Sequence, residues 1–167
     1  MQSCASQELL KRWVGLPDPG EPPELVAGLV ESYRGIWEQS SLGNLDKSHD
    51  RGCEAHVPGN RLLHGRLKLS QWFTGYISAF PMGKFTLNHW ILNEEAGKNT
   101  RVALRWSYVA EHAGIGAFGR PTGAPVVILA ITHAELQAGQ VVREYTLIDE
   151  LALWGQIHHH VLASSTQ

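Results

Sequence analysis

Few side chains in this 167-residue chain are spaced so that they could do chemistry. The most conspicuous run is HAGIGAFGRPTG at 112–123, where Gly114, Gly116 and Gly119 spell GxGxxG. That pattern holds a pyrophosphate only where it ends a strand and opens a helix, so that helix N-terminal N–H groups meet the anion. RVALRWSYVAEH before it reads as a strand, but Pro121 and Pro125 bracket Gly123 just after it. Prolines so placed break a helix within its first turns. The glycines are therefore read as a loop between two strands, with no dinucleotide cofactor.

The remaining candidates are carboxylates and histidines near the C-terminal end. Glu144 and Asp149 stand in QVVREYTLIDE, and His133 in VVILAITHAEL. A carboxylate enclosed in an apolar cavity becomes basic enough for proton abstraction, which makes Glu144 the first candidate base; the competing reading is a surface Glu paired with Arg143 or Arg105. Asp149 immediately precedes ELALWGQI, the place of a helix N-cap, and that reading is preferred to catalysis. His56, His64, His89 and His112 show no ligand spacing, and His158–His160 read as part of a tail, so no metal site is expected. There is no GxSxG, Cys53 has no evident partner, and Lys68, Lys84 and Lys98 lie in polar surroundings or a turn.

These residues need elements to position them. The length is that of one domain with a real core, and 43% hydrophobic with 18% charged residues marks a globular chain. A net charge of −2 argues against nucleic acid as partner. APVVILAI is too short to span a bilayer, and no basic segment followed by an apolar run opens the chain, so neither membrane span nor signal peptide is expected. Cys4 and Cys53 are expected as reduced thiols of a cytoplasmic protein. Residues 1–23 read as an extension ending in the linker LPDPGEPP, 24–157 as the domain, and 158–167 as a flexible tail.

Leu25, Leu29, Tyr33, Ile36 and Trp37 mark a first helix, SSLGNLDKSHD a short second helix or turn, and CEAHV a short strand followed by a turn at 58–60. KLSQWFTGYISAF is amphipathic, with Leu69, Trp72, Phe73, Tyr76, Ile77 and Phe80, and stops at Pro81. From there the period is two. KFTLNHWIL, TRVALRWSYVAEH, VVILAITHAEL and QVVREYTLID read as long antiparallel strands, with Val102, Leu104, Trp106 and Tyr108 on one face. A short helix closes the body. Helices followed by a meander predict α+β, with the helices on one sheet face.

The order of these features resembles the SnoaL-like polyketide cyclases of the nuclear transport factor 2-like superfamily, over about 24–157. The resemblance rests on FGRPTG…VVILAITHAELQAGQVVREYTLIDELALWGQI, with Gly139, Glu144, Tyr145 and Asp149 at the family's positions. ESYRGIWEQSSLGNLDKSHD matches its helix pair, and LLHGRLKLSQWFTGYISAFP its helix over the cone. It implies a cone-shaped barrel, a curved, mainly antiparallel sheet wrapped by N-terminal helices, with an apolar cavity for a small hydrophobic, polyketide- or steroid-like molecule. It also implies acid/base chemistry such as aldol cyclisation or isomerisation, without metal or organic cofactor, and dimerisation through the outer sheet face. The family's acid/base Asp falls on Thr146, and its His on Thr132, with His133 one place late. Since a one-residue slip turns a side chain to the other sheet face, His133 does not replace it.

The turn gives a separate route to the faces. A two-residue type I′ loop would hold Ala138 at positive φ, which its Cβ disfavours. A three-residue loop with Gly139 in the left-handed position avoids this. In that register Thr132 shares a face with Glu144, Thr146 and Ile148, while His133 joins Arg143, Tyr145 and Asp149. The candidate catalytic set is thus Glu144, Asp149 and His133. Thr132, Thr146, Trp106, Tyr108, Trp72, Tyr76 and Trp37 are expected to line the cavity, the aromatics having plain core as their alternative. Three functions stay open: an enzyme using Glu144, a binding module that kept the cavity and lost the chemistry, and a structural partner domain. A homodimer is expected, because an apolar odd-numbered face bearing Val141, Tyr145 and Leu147 would be costly on a monomer.

Overall fold

The computed structural model describes residues 18–165; the early segment QELLKRWV, Cys4 and the last two residues lie outside it. Helix α1 (Glu24–Gln39) buries Val26, Leu29, Val30, Tyr33, Ile36 and Trp37 on one stripe, as the apolar spacing requires, while Leu25 is half-buried at its margin. A 3₁₀ turn (Leu42–Asn44) and the one-turn α2 (Leu45–Ser48) lead into β1 (His49–Val57). After the 58–60 turn come β2 (Arg61–His64) and α3 (Arg66–Ala79), then β3 (Lys84–Asn93), β4 (Thr100–Glu111), β5 (Pro125–Gln137), β6 (Gln140–Ile148) and α4 (Glu150–Ser164).

The six strands form one sheet in the order β2-β1-β6-β5-β4-β3. All neighbours are antiparallel except β1 and β6, which run parallel. The class is α+β as expected, but the sheet is open, with β2 and β3 as its edges, and does not close into a barrel. Strand β2 is not legible in the sequence because it is four residues long and mostly exposed, with no alternating burial. Along β4 the expected face holds: Val102, Leu104, Trp106 and Tyr108 are all buried.

Two expectations at the C-terminal end are corrected. The helix does not stop near Ile157 but continues through His158, His159 and His160 to Ser164, so residues 158–164 of the expected flexible tail are helical. Consecutive helical residues point about 100° apart, so the three imidazoles do not converge on one ion. This helix also has a structural task. The β5–β6 ladder ends at Ala130↔Ile148, leaving the first residues of β5 with an open edge. The Gln156 amide covers it, accepting from Val127 N at 2.7 Å and donating to Val127 O at 3.0 Å.

The β5–β6 turn is the second correction. Gln137 pairs with Gln140, so the loop has two residues, with Ala138 at φ 50° and Gly139 at φ 80°. This is the I′ shape that the sequence argued against, and Ala138 bears a left-handed conformation costing about 1–2 kcal/mol. The face assignment nevertheless holds beyond Val142, for a different reason, while Val141, expected on the exposed odd-numbered face, is buried. Leu136 faces Val141, but Glu135 faces Arg143, so Val142 bulges and the register moves by one. Beyond the bulge Ala134 faces Glu144, His133 faces Tyr145 and Thr132 faces Thr146. Without that extra residue Glu144 would lie across from His133, on the outer face.

The glycine motif joins β4 to β5, with no helix between Gly119 and Pro125. Its loop clamps onto α3: Gly114 N donates to Ala79 O at 3.1 Å and Ala117 N to Gly75 O at 2.9 Å. A Cβ on Gly114 would stand 1.8 Å from Ser78 O, and one on Gly116 2.4 Å from Gly75 O. The glycines are there for close backbone approach.

Candidate functional site

Glu144 is the centre of the site. The carboxylate, on the inner face of β6, is fully buried. Its Oε2 accepts a hydrogen bond from the Tyr33 hydroxyl of α1 and lies 3.1 Å from His49 Nε2 of β1. Its Oε1 is buried with no partner. Three elements thus converge on one carboxylate. The parallel β1–β6 pairing makes this possible: between His49 and Glu54 the ladder is irregular, β1 advancing five residues while β6 advances two. His49 enters the ladder beside Val141, and its ring reaches Glu144 from there.

Burial, reinforced by the charge and hydrogen bond of Glu144 and opposed by a hydrogen bond to Thr132, raises the Tyr33 pKa well above its ordinary value. Tyr33 is therefore a permanent donor to the carboxylate at neutral pH. The far side of His49 is also engaged: Nδ1 lies 2.8 Å from Ser48 Oγ, which is 2.7 Å from Ser32 Oγ. Both hydroxyls reach the Asn44 carbonyl, at 3.0 Å from Ser48 and 3.2 Å from Ser32. Ser32, Asn44 and Ser48 line a surface cavity of about 640 Å³ between α1, α2 and the β5–β6 turn, together with Glu24, Glu31 and Lys47.

Thr132 and Thr146 are on the inner face, but they satisfy one another at 3.0 Å, and Thr132 Oγ1 also accepts from Trp106 Nε1 at 3.1 Å. The expected cavity aromatics close on each other. Trp37 stands 5.1 Å from Trp106, 5.0 Å from Tyr108 and 5.9 Å from Tyr76, and Trp72 stands 5.1 Å from Tyr76. These are core contacts, the alternative the sequence left open, although Trp106 also borders a cavity of about 550 Å³ beside Asn88, Arg105 and Ile148. Within that core the indole N–H groups of Trp37 and Trp72 have no acceptor. Both rings pack on Phe73, as does the ring of Tyr33.

Neither His133 nor Asp149 joins Glu144. His133 is exposed on the outer face, across from Tyr145. Asp149 is exposed and caps α4, its Oδ1 accepting from Ala152 N at 2.9 Å. The surface-pair reading of Glu144 fails too, since its carboxylate is fully buried and Arg143 turns to Glu54 at 3.1 Å and Glu135 at 3.6 Å. Sequence reasoning missed His49, which lies inside a segment read as helix or turn, and took Tyr33 for plain core. No local spacing announces either one, because they come from 95 and 111 residues away along the chain. Among the described residues, no group of three or more His, Cys, Asp or Glu is placed to hold a metal ion. No helix among them is long and apolar enough to cross a membrane.

The family profile described as SnoaL-like polyketide cyclase matches residues 27–157. No curated protein matches the sequence. Among solved structures, a protein described as a SnoaL-like polyketide cyclase from Jannaschia sp. CCS1 is similar at 15% identity, with a TM-score of 0.64 over 83% of this chain and 96% of that one. AclR, described as a hydroxylase, from Streptomyces galilaeus is 20% identical, with a TM-score of 0.68 over 81% of this chain and 96% of its own. A protein described as a polyketide cyclase from Acidithiobacillus ferrooxidans is 17% identical, with a TM-score of 0.68 over 84% and 99%. At these identities the structural likeness is one of fold.

Proposed function

The chain belongs to the SnoaL-like polyketide cyclase family, and from that premise we propose that it takes a small hydrophobic, polyketide- or steroid-like molecule on which Glu144 acts as general base. One observation carries this reading: a fully buried carboxylate with one oxygen held by Tyr33 and His49 and the other unpartnered. A buried acceptor without a donor costs about 1–3 kcal/mol unless something supplies one. A substrate C–H or O–H next to a carbonyl would. In an aldol closure Oε1 takes the proton from carbon, the resulting enolate carbon forms the new C–C bond to a second carbonyl, and the alkoxide recovers the proton from the carboxyl. The orphan indole N–H groups of Trp37 and Trp72 are donors suited to carbonyl oxygens of such a molecule. The rings close on each other, so binding requires some of them to turn aside.

The test is a thermal-shift panel of planar polycyclic ketones, followed by turnover of any that bind. Glu144→Gln keeps the shape and removes the base, and should lower turnover by roughly a hundredfold or more while keeping the ligand shift. Full turnover in that variant overturns the assignment. A second reading, a binding module without chemistry, is favoured by the mutually satisfied Thr132 and Thr146 at the positions where the resemblance expects the acid/base pair. Binding without turnover in the wild type would select it. The same proposal includes a homodimer through the outer sheet face, where Leu129, Ile131, Tyr145 and Leu147 are exposed; a monomeric mass in light scattering at micromolar concentration would refute that. It also includes a cytoplasmic location, with Cys53 free and buried.

A further inference from the structure

Glu144, His49 and Tyr33 are sealed from solvent, with relative exposures of 0%, 0% and 1%. The aldol closure returns the proton that Glu144 takes, but the ionised carboxylate must first form in a sealed site by exchange with water, and one continuous chain leads outward. From Oε2 it runs 3.1 Å to His49 Nε2, across the ring to Nδ1, 2.8 Å to Ser48 Oγ and 2.7 Å to Ser32 Oγ. Both serines line the 640 Å³ surface cavity, which carries Leu25, Leu29 and Leu136 beside Glu24, Glu31 and Lys47 and opens to bulk solvent. We propose that Ser48 and His49 form a proton relay connecting the buried Glu144 carboxylate to water in this cavity. The proposal deepens the reading of Glu144 as the base and takes its purpose from it.

The proton arithmetic closes in two states. In the first, Glu144 is ionised, Nε2–H donates to Oε2, and the Ser48 hydroxyl donates to Nδ1. In the second, Nε2 has passed its proton to Oε2, Nδ1 has taken the Ser48 proton, and Ser48 has taken one from cavity water. Nδ1–H then donates to Ser48 Oγ, and the new Ser48 proton has an acceptor in the Asn44 carbonyl, 3.0 Å away. One proton enters from the cavity, one arrives on Glu144, and the hydroxide left in the cavity is neutralised by bulk buffer. Each state has an acceptor for every donor. Serine placed between an imidazole and a carbonyl is what permits both. Ser48 and Ser32 are thus positioning residues that act through His49, with Ser48 the partly exposed link.

The experiment needs no substrate, so its outcome is separate from whether Glu144 turns anything over. In uniformly ¹⁵N-labelled protein, the His49 ring signals are assigned by their loss in His49→Gln, and exchange of the ring N–H with water is measured by saturation transfer. A sealed imidazole on a relay exchanges faster than the backbone amides of β6 around it. Breaking one link raises the barrier by about 1–3 kcal/mol, so Ser48→Ala should slow that exchange by about tenfold or more. Ser48→Thr should restore it. Wild-type exchange no faster than the neighbouring amides, or an unchanged rate in Ser48→Ala, overturns the relay. Should Ser48→Ala fail to fold, Ser48→Cys keeps the volume with a weak donor and acceptor, and the same two outcomes decide.

Discussion

Two segments place severe demands on the chain, and the demands differ in kind. In the 112–124 loop the demand is steric: backbone must lie against the backbone of α3 so closely that a single methyl on Gly114 would sit 1.8 Å from Ser78 O. Around Glu144 the demand is electrostatic: a buried carboxylate must find donors, and takes them from Tyr33 and His49 on two other elements. A steric demand is met by residue type at neighbouring positions. It therefore writes a motif, GxGxxG, whatever its purpose. A hydrogen-bonding demand is met by any donor the fold delivers, and leaves no pattern. The conspicuous segment is scaffold and the quiet one is the candidate site.

The largest effect expected of any variant tests the scaffold side. Gly114→Ala cannot be accommodated without moving the loop off α3, and overpacking with loss of the Gly114–Ala79 hydrogen bond should cost about 3 kcal/mol. Gly119→Ala meets open space and only the strain of φ 86°, so about 1 kcal/mol is expected. Denaturant midpoints read both. Equal losses at the two positions would mean that the clamp on α3 is not what the motif serves.

The same contrast explains what could be read in advance. The period-two strands, the two amphipathic helices and the loop nature of the glycine motif follow from local rules and hold. The inner-face placement of Glu144 holds, yet not through the expected turn: Ala138 takes the left-handed conformation, and a bulge at Val142 restores the parity. Turn energetics of about 1–2 kcal/mol are small beside the burial of a whole strand face, so the face is better determined than the turn. Tyr33 was legible as buried but not as a donor. His49 depends on a parallel pairing between strands far apart in the chain, which no window of sequence contains.

The two regions should also fail at opposite ends of the pH scale. His112 anchors the glycine loop, its N donating to Ala124 O and its Nδ1 lying 3.1 Å from Thr122 Oγ1, and burial lowers its pKa from 6.5. A lowered imidazole pKa means that the unfolded chain binds the proton more readily. This contribution is complete above about pH 6.5 and is lost as pH falls below it. In the Glu144 cluster the shifts go the other way: burial raises Tyr33, and burial together with Glu144 raises Cys53 from 9.0 to about 11. Folded Cys53 and Tyr33 hold protons the unfolded chain releases, so their contributions are complete below about pH 9 and pH 10 and are lost as pH rises further. In unfolding free energy against pH, His112→Gln should flatten the acid limb and Tyr33→Phe the alkaline limb. Flattening of the wrong limb by either variant would break the contrast.

The smallest expected effect separates the two carboxylates at either end of one strand segment. Glu144 and Asp149 stand five residues apart, but the alternation of β6 turns Glu144 inward, while Asp149 lies past the strand's last residue, at the start of α4. There it accepts from Ala152 N at 2.9 Å, next to Glu150 in the first helical turn, where negative charge favours the helix. Asp149→Ala removes one cap and should lower stability by about 1 kcal/mol. It should leave any ligand-induced thermal shift and any turnover as they were, because Asp149 is exposed and makes no bond to Glu144, Tyr33 or His49. Glu144→Gln should do the reverse, with modest change in stability and loss of turnover. If the Asp149 variant loses activity at unchanged stability while the Glu144 variant keeps it, the chemistry lies at the strand's outer end, and the buried cluster is scaffold like the glycine loop.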